Sequence, residues 1–316
     1  MRTAAPWRIV FMGTPAFAVP TLEVLLAGTD PVVGVFTQPD KPVGRGLQLT
    51  PSPVKQAAAQ RNIPVWQPLR LRAEEAVTVL RALQPDLIVV VAYGQLLSPE
   101  VLAIPRHGCL NVHASLLPRW RGAAPLQRAL LAGDRESGVT LMQMEAGLDT
   151  GPIHCQRRLP LTPEMTGGEL HDQLARLGGL LLQESLPRLR AGTLPATPQA
   201  AEEVTYATKL TPADERVDWQ QPAEQIRRQI LALNPWPAAH TLLDGQSLKL
   251  LRCRPGSGHG PPGTLLARQP DGPEVACGQG SLVLTELQPA GKRRMPAADW
   301  LRGQPRLPDR FGNGAP

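Results

Sequence analysis

Short apolar runs alternate with amphipathic stretches through the first half of the chain. "RIVFMG" (8–13), "PVVGVFT" (31–37), "DLIVVVAYG" (86–94), "CLNVH" (109–113) and "GVTLMQME" (138–145) are largely continuous apolar runs, several of them β-branched. Such runs mark strands buried on both faces. Between them "FAVPTLEVLLAG", "EEAVTVLRALQ" and "APLQRALLAG" repeat their apolar positions at helical spacing, the first closing at Gly28. A long amphipathic stretch, "GELHDQLARLGGLLLQESLPRLRAG", ends near Gly192. This alternation predicts an α/β class: a mostly parallel sheet with helices on both faces.

After residue 192 the pattern changes. "TLPATPQAAEEVTYATKLTPADERVDW" has no clear period and is broken by Pro195, Pro198 and Pro212, so a linker is expected over 193–208. One helix, "PAEQIRRQILAL", follows. Short strand-like pieces then run from "HTLLDG" to "SLVLTELQP", separated by Gly, Pro and Asp, and predict a small β-barrel. "RGQPRLPDRFGNGAP" reads as a loose tail. The expected organisation is 1–192, a linker at 193–208, and 209–316.

Composition narrows the classes. A chain of 316 residues with 42% hydrophobic and 19% charged residues has room for a large domain and a smaller one. The net charge is +6, and most of that excess lies from Tyr206 onward, which favours a polyanionic partner for the last third. Cys109, Cys155, Cys253 and Cys277 are far apart with no C-x-x-C pair, which fits neither a disulfide framework nor a zinc site and suits a reducing compartment. His107, His154, His171, His240 and His259 show no ligand spacing, so no metal is expected. The opening "MRTAAPWRIVFMGTPAFAVP" has the charges of a signal peptide, but Gly13, Pro15 and Pro20 interrupt its apolar run. No window reaches 18 uninterrupted apolar residues. A cytoplasmic protein without membrane contact is expected.

The chemistry concentrates in "GCLNVHASLLPRWRGAAP" (108–125). In a strand, side chains two apart share a face, so Asn111 and His113 point together while Val112 points away. They fall at a strand end, where open parallel sheets gather ligands. "MEAGLDTGPI" places Asp149 in a loop bounded by Gly147 and Gly151, which let the backbone bend tightly. An Asn amide and an imidazole can donate to an oxyanion, and a carboxylate can orient the imidazole. No Ser or Cys stands in a nucleophile elbow, so the nucleophile would belong to a substrate, such as an amine. From spacing alone, a lone Asn-x-His is more often a strand end with satisfied polar groups than a catalytic pair. "FMGTPAF" is not a G-x-G-x-x-G fingerprint, which disfavours nicotinamide binding.

"LNVHASLLPRWRGAAPLQRALLAG" followed by "GVTLMQMEAGLDTGPI" resembles the signature of the folate-dependent formyltransferases. "FMGTPAFAVPTL", "TQPDKPVGRGLQLTPSPVK", "TYATKL" and "NPWPAA" extend that resemblance, in order, over nearly all of 7–290. It implies a Rossmann-like catalytic domain over 1–192 and an OB-like, tRNA-binding barrel over 209–316. It implies transfer of the formyl group of 10-formyltetrahydrofolate to the α-amino group of methionine carried on initiator tRNA, by a monomer. The family's catalytic residues match Asn111, His113 and Asp149. Its folate-contacting segment matches Ser115, Leu116, Leu117 and Pro118, with Tyr93 and Gly94 beside the pterin. The resemblance makes the 37–55 loop a tRNA contact carrying Lys41, Arg45 and Lys55. Relatives often follow the Gly-Arg-Gly of this loop with further lysines, where this chain has Leu47 and Gln48. Lys292, Arg293 and Arg294 of "GKRRM" are further candidate phosphate contacts. Three alternatives stay open: formyl transfer to another amine, hydrolysis of a formylfolate, and a non-catalytic RNA-binding module with a vestigial folate pocket.

Overall fold

A computed structural model describes residues 5–43, 48–304, 306 and 309–312. The chain falls into two compact units, the first made of 1–125, 136–160 and 171–207, the second of 126–135, 161–170 and 208–316.

The first unit holds β1 (Ile9–Gly13), β2 (Val32–Phe36), β3 (Lys41–Val43), β4 (Gln48–Thr50), β5 (Val65–Trp66) and β6 (Leu87–Val91). It continues with β7 (Cys109–His113), β8 (Arg121–Gly122), β9 (Glu136–Gln143), β10 (Ile153–Pro160) and β11 (Tyr206–Ala207). Seven of these form one sheet in the order β10-β9-β7-β6-β1-β2-β5. From β7 to β5 the strands are parallel, as their apolar runs predict. Val10, Met12, Phe36, Ile88 and Val90 lie together in the core on one side. On the other side the helix Gly167–Arg190 approaches β7 so closely that a Cβ on Gly178 would stand 2.8 Å from Val112 Cγ1. Val112 is thus committed to the core, and Asn111 and His113 are turned the opposite way. Strand order reverses between β1 and β6, and the crevice such a reversal opens lies at the carboxyl ends of the strands.

Four features depart from the pattern reading. "GVTLMQME" becomes β9, which pairs antiparallel with β7, and β10 then pairs antiparallel with β9. No strand was expected at "IHCQRRLP": as an edge strand only half-buried for most of its length, β10 lacks the continuous apolar run that marks the inner ones. The 37–55 segment, read as an irregular loop, contains the antiparallel pair β3–β4 and the first residues of the helix Pro53–Gln60. Segment 193–207 is packed into the first unit, where β11 pairs with β8.

The second unit holds β12 (Ala239–Leu243), β13 (Gln246–Pro255), β14 (Leu265–Gln269), β15 (Gly272–Ala276), β16 (Ser281–Pro289) and β17 (Met295–Pro296). They form an antiparallel sheet in the order β12-β13-β16-β15-β14, with β17 on β16. Its core takes Ile226 and Ile230 from the helix Ala223–Ala232, together with Leu250, Val275, Leu284 and Trp300. The C-terminal tail is tied down at Phe311, which is 1% exposed, stacks on Trp219 with ring centroids 5.8 Å apart, and donates its N–H to Gly263. Burying one aromatic ring supplies the anchoring that the polar, proline-rich sequence around it hides. Trp219 and Trp300 anchor this core, whereas Trp236 is 51% exposed.

One buried charge matters for the stability of this unit. Glu274 on β15 is 2% exposed, and its carboxylate accepts from Ser281 Oγ (2.7 Å), Gln269 Nε2 (2.7 Å) and the N–H groups of Gly258 (2.6 Å) and Ser257 (2.9 Å). These donors, Ser281 first, pull its pKa down to about 2. A depressed carboxylate stabilises the fold above its unfolded pKa, near 4.5, and that stabilisation is lost as pH falls toward 2. Glu274→Gln should cost about 2 kcal/mol at pH 7, seen as a fall of roughly 4–8 °C in the melting of this unit. The deficit should shrink when both proteins are melted near pH 3. An equal deficit at both pH values would assign it to packing instead.

Candidate active site

Asn111 and His113 leave β7 on one face, and the loop after β9 brings Asp149 to both. Asn111 Nδ2 donates to Asp149 Oδ1 at 3.3 Å, and His113 Nδ1 lies 3.7 Å from Asp149 Oδ2. Asn111 is half-buried, and the side chains of His113 and Asp149 are 7% and 13% exposed.

The loop that delivers Asp149 can take few other sequences. A Cβ on Gly151 would overlap the carbonyl oxygen of Gln143, so only glycine fits there. Asp149 itself has φ +51°, a left-handed conformation that Asp tolerates better than most residues. Its Oδ2 accepts the N–H of Gly122 at 2.8 Å. Gly122 has φ +119°, and a Cβ on it would stand 2.8 Å from the carbonyl oxygen of Ala207, so a side chain there would displace that N–H.

Hydrogen bonds fix the chemical state of two of the three groups. A carboxylate only accepts, so the Asn111 atom facing Asp149 is the amide nitrogen, and one of its two N–H bonds remains for a ligand. His113 Nε2 is 3.0 Å from the carbonyl oxygen of Trp120. A carbonyl also only accepts, so Nε2 carries a proton and donates it there, and Nδ1 is the nitrogen left for chemistry. Trp120, at φ +64°, aims this carbonyl at the ring, and its own N–H is held by Thr205 Oγ1 at 2.9 Å. The expectation of His113 as a donor is thereby narrowed: it can donate to a ligand only through Nδ1, in the imidazolium form.

The expected folate residues divide in two. Gly94 is exposed and Leu116 half-buried. Tyr93, Ser115, Leu117 and Pro118 are buried, so their side chains face the protein and do not line an open slot. Tyr93 contributes its carbonyl, which accepts from Thr14 Oγ1 (2.9 Å) and Gln38 Nε2 (3.2 Å); its ring is in the core, where burial raises the pKa of a hydroxyl with no partner among the described residues. Ser115 Oγ donates to the Arg119 carbonyl at 2.6 Å, and the Ser115 carbonyl accepts from Thr140 Oγ1 at 2.6 Å. Gln156 Nε2 donates to the Leu117 carbonyl at 2.7 Å, beside a cis Leu117–Pro118 peptide. The turn is thus held from within, and the sequence alone could not tell a residue that shapes a slot from one that lines it.

The basic candidates also separate. Arg45 lies outside the described residues. Lys41, Lys292 and Arg293 are exposed. Lys55 Nζ is bonded to Asp40 at 2.6 Å, and this bond, with a second from Gln67, holds the Asp40 carboxyl below its usual range. Arg294 forms a two-pronged pair with Glu286, at 2.7 and 2.8 Å. Among the described residues no cluster of His, Cys, Asp or Glu could hold a metal ion, no helix is long and apolar enough to cross a membrane, and all four cysteines are free.

Sequence reading missed Gln199. Its Nε2 donates to the carbonyls of Asp149 (2.8 Å) and Gly151 (2.7 Å), while its Oε1 accepts from Arg121 Nε (3.0 Å) and Nη2 (2.8 Å). One glutamine in an aperiodic, proline-rich segment gives no signal of this.

Residues 7–186 match the formyl transferase model and 209–305 match the formyl transferase C-terminal domain. Methionyl-tRNA formyltransferase of Magnetococcus marinus is 57% identical over 309 residues, covering 98% of this chain and 99% of that one. The N-formyltransferase of Helicobacter canadensis, solved with folinic acid and dTDP-3-aminofucose, shares the fold at a TM-score of 0.66 and 17% identity, covering 88% of this chain and 98% of that one. HypX of Aquifex aeolicus, solved with tetrahydrofolic acid, aligns at a TM-score of 0.63 and 21% identity over 94% of this chain and 47% of that one, so this chain spans about half the length of HypX. By its two matched domains and by its likeness along almost the whole length of a relative, the chain belongs to the formyl transferase family.

Proposed function

We propose that the chain transfers the formyl group of 10-formyltetrahydrofolate to the α-amino group of methionyl-initiator tRNA. The observation that carries this reading is the meeting of Asn111, His113 and Asp149 at one strand end, in a chain 57% identical over nearly its full length to a methionyl-tRNA formyltransferase. When bound, the folate supplies an activated one-carbon acyl group. Of the residues expected to meet it, Gly94 is exposed and Leu116 is half-buried.

The free N–H of Asn111 and the Nδ1–H of a charged His113 donate to the formyl oxygen as it gains charge. Asp149, the acceptor beside both, takes the proton leaving the attacking amine and returns it to the departing nitrogen. Trp120 and Gly122 keep the ring and the carboxylate in place. We assign residues 1–192 to catalysis, 193–208 to the connection and 209–316 to tRNA binding, in a monomer working in the cytoplasm. The exposed Lys41, Lys292 and Arg293 are the first candidates for tRNA contact, and the family resemblance adds Arg45; Lys55 and Arg294 would have to exchange a carboxylate partner for a phosphate.

The decisive assay supplies formylfolate with charged initiator tRNA, elongator methionyl-tRNA, free methionine, or no acceptor. Formylation confined to the initiator species is the expected result; folate turnover without an acceptor would favour the hydrolase reading. Arg45→Ala should raise KM for the tRNA with kcat little changed. Lys292→Ala and Arg293→Ala should each reduce the salt dependence of tRNA binding by a slope of about one. Unaltered salt slopes would remove these residues from the interface.

A further inference from the structure

We propose that Gln199 is a positioning residue for formyl transfer, holding Asp149 in its left-handed conformation and locking together the two loops that build the site. The proposal rests on the role given above to Asp149. An aspartate at φ +51° lies in a sparsely populated region and stays there only if its surroundings hold it. Gly122 holds the side chain, and Gln199 holds the main chain that leaves Asp149, taking the carbonyls of Asp149 and Gly151 with the two hydrogens of one amide.

The other end of that amide reaches the second loop. Gln199 Oε1 accepts two hydrogens from Arg121, whose neighbours in sequence are the two residues that fix the chemistry: Trp120 takes the proton of His113 Nε2, and Gly122 donates to Asp149. Arg121 is 8% exposed and its guanidinium has a neutral partner in Gln199, so this contact places the residue rather than neutralising a charge. Thr205, farther along the same segment, takes the N–H of Trp120 on its hydroxyl and that of Arg121 on its carbonyl. The segment is therefore stitched to the site at both ends, and Gln199 is the side chain that joins the Asp149 loop to the Arg121 loop. Without its two donors, the Asp149 backbone can relax out of the left-handed region and carry the carboxylate away from His113 Nδ1.

Steady-state formylation by wild type, Gln199→Ala, Gln199→Glu, Asp149→Ala and the Gln199→Ala/Asp149→Ala double variant tests this, with thermal melts of each. Gln199→Ala should lower kcat by about 10–100-fold, the scale of a small misplacement of a reacting group, with KM for either substrate within about threefold. Gln199→Glu keeps the bulk and an acceptor for Arg121 but sets a carboxylate oxygen against two carbonyls, so it should lose as much. If anchoring Arg121 were the whole role, Gln199→Glu would stay active. In the Asp149→Ala background, Gln199→Ala should cost less than about twofold, because what it positions is gone; a full multiplicative loss would show a merely structural effect and overturn the proposal. If Gln199→Ala melts far below wild type, Gln199→Glu carries the test. Active Gln199 variants beside an inactive Asp149→Ala would exclude Gln199 alone. An active Asp149→Ala would instead remove the reading of Asp149 on which the proposal stands.

Discussion

Asn111→Ala should form product about 10²–10³-fold more slowly than wild type, with KM for the formyl donor changed far less. The split follows from where the amide N–H points. One hydrogen of Nδ2 is already committed to Asp149 at 3.3 Å, so the second is the one free to meet a ligand oxygen. A formyl oxygen in the ground state is a weak acceptor, and it becomes a strong one only as the amine attacks; the bond therefore stabilises the transition state more than the bound substrate. His113→Ala should fall in the same range, and the double variant should lose less than the product of the two, since both donors would act on one oxygen. Rates for both single variants within about threefold of wild type would show that this oxygen is stabilised elsewhere. Asn111→Asp is the sharper control: it keeps the shape but faces Asp149 with a second carboxylate and has no hydrogen to give.

How much of this was legible in the sequence depends on whether a residue's role is periodic or relational. The period of two in "CLNVH" sets Asn111 and His113 on one face, and the structure has Val112 packed the other way against Gly178. The glycines around Asp149 announced a tight bend, and the Gly151 backbone does meet the Gln143 carbonyl too closely for any side chain. The parallel strands were legible because burial on both faces demands unbroken apolar runs; β10 was not, because an edge strand can carry His, Gln and two Arg among its eight residues. Direction was also hidden, since β9 is buried along most of its length like the parallel strands and differs in the route by which the chain enters it. Tyr93 shows the limit from the other side: the segment was placed correctly at a strand end, but which of its groups faces the crevice is decided by a backbone turn at Ala92 (φ +45°) and Gly94 (φ +82°). Gln199 and Thr205 act through hydrogen bonds to backbone atoms far away in sequence, and no spacing rule records such a partner.

Asp149→Asn should lower kcat by about 10²–10⁴-fold, the range covered by removing a positioned acid–base group. The change is nearly isosteric, and the amide oxygen can still accept the Gly122 N–H as Oδ2 does at 2.8 Å, so the loop can keep its shape. Two things are lost. The amide cannot take a proton from the amine, and with its oxygen on Gly122 its NH₂ faces Asn111 Nδ2, donor against donor. The same substitution separates the two parts that Asp149 could play toward His113. If orienting the ring were enough, the Trp120 carbonyl on Nε2 would still hold it, and Asp149→Asn would remain within about tenfold of wild type. If proton transfer is the main role, the variant should be slow at every pH, and an amine acceptor that loses its proton more readily should recover part of the rate. A variant that regains full speed simply by raising the pH would place the proton acceptor in solvent and reduce Asp149 to a scaffold for its neighbours.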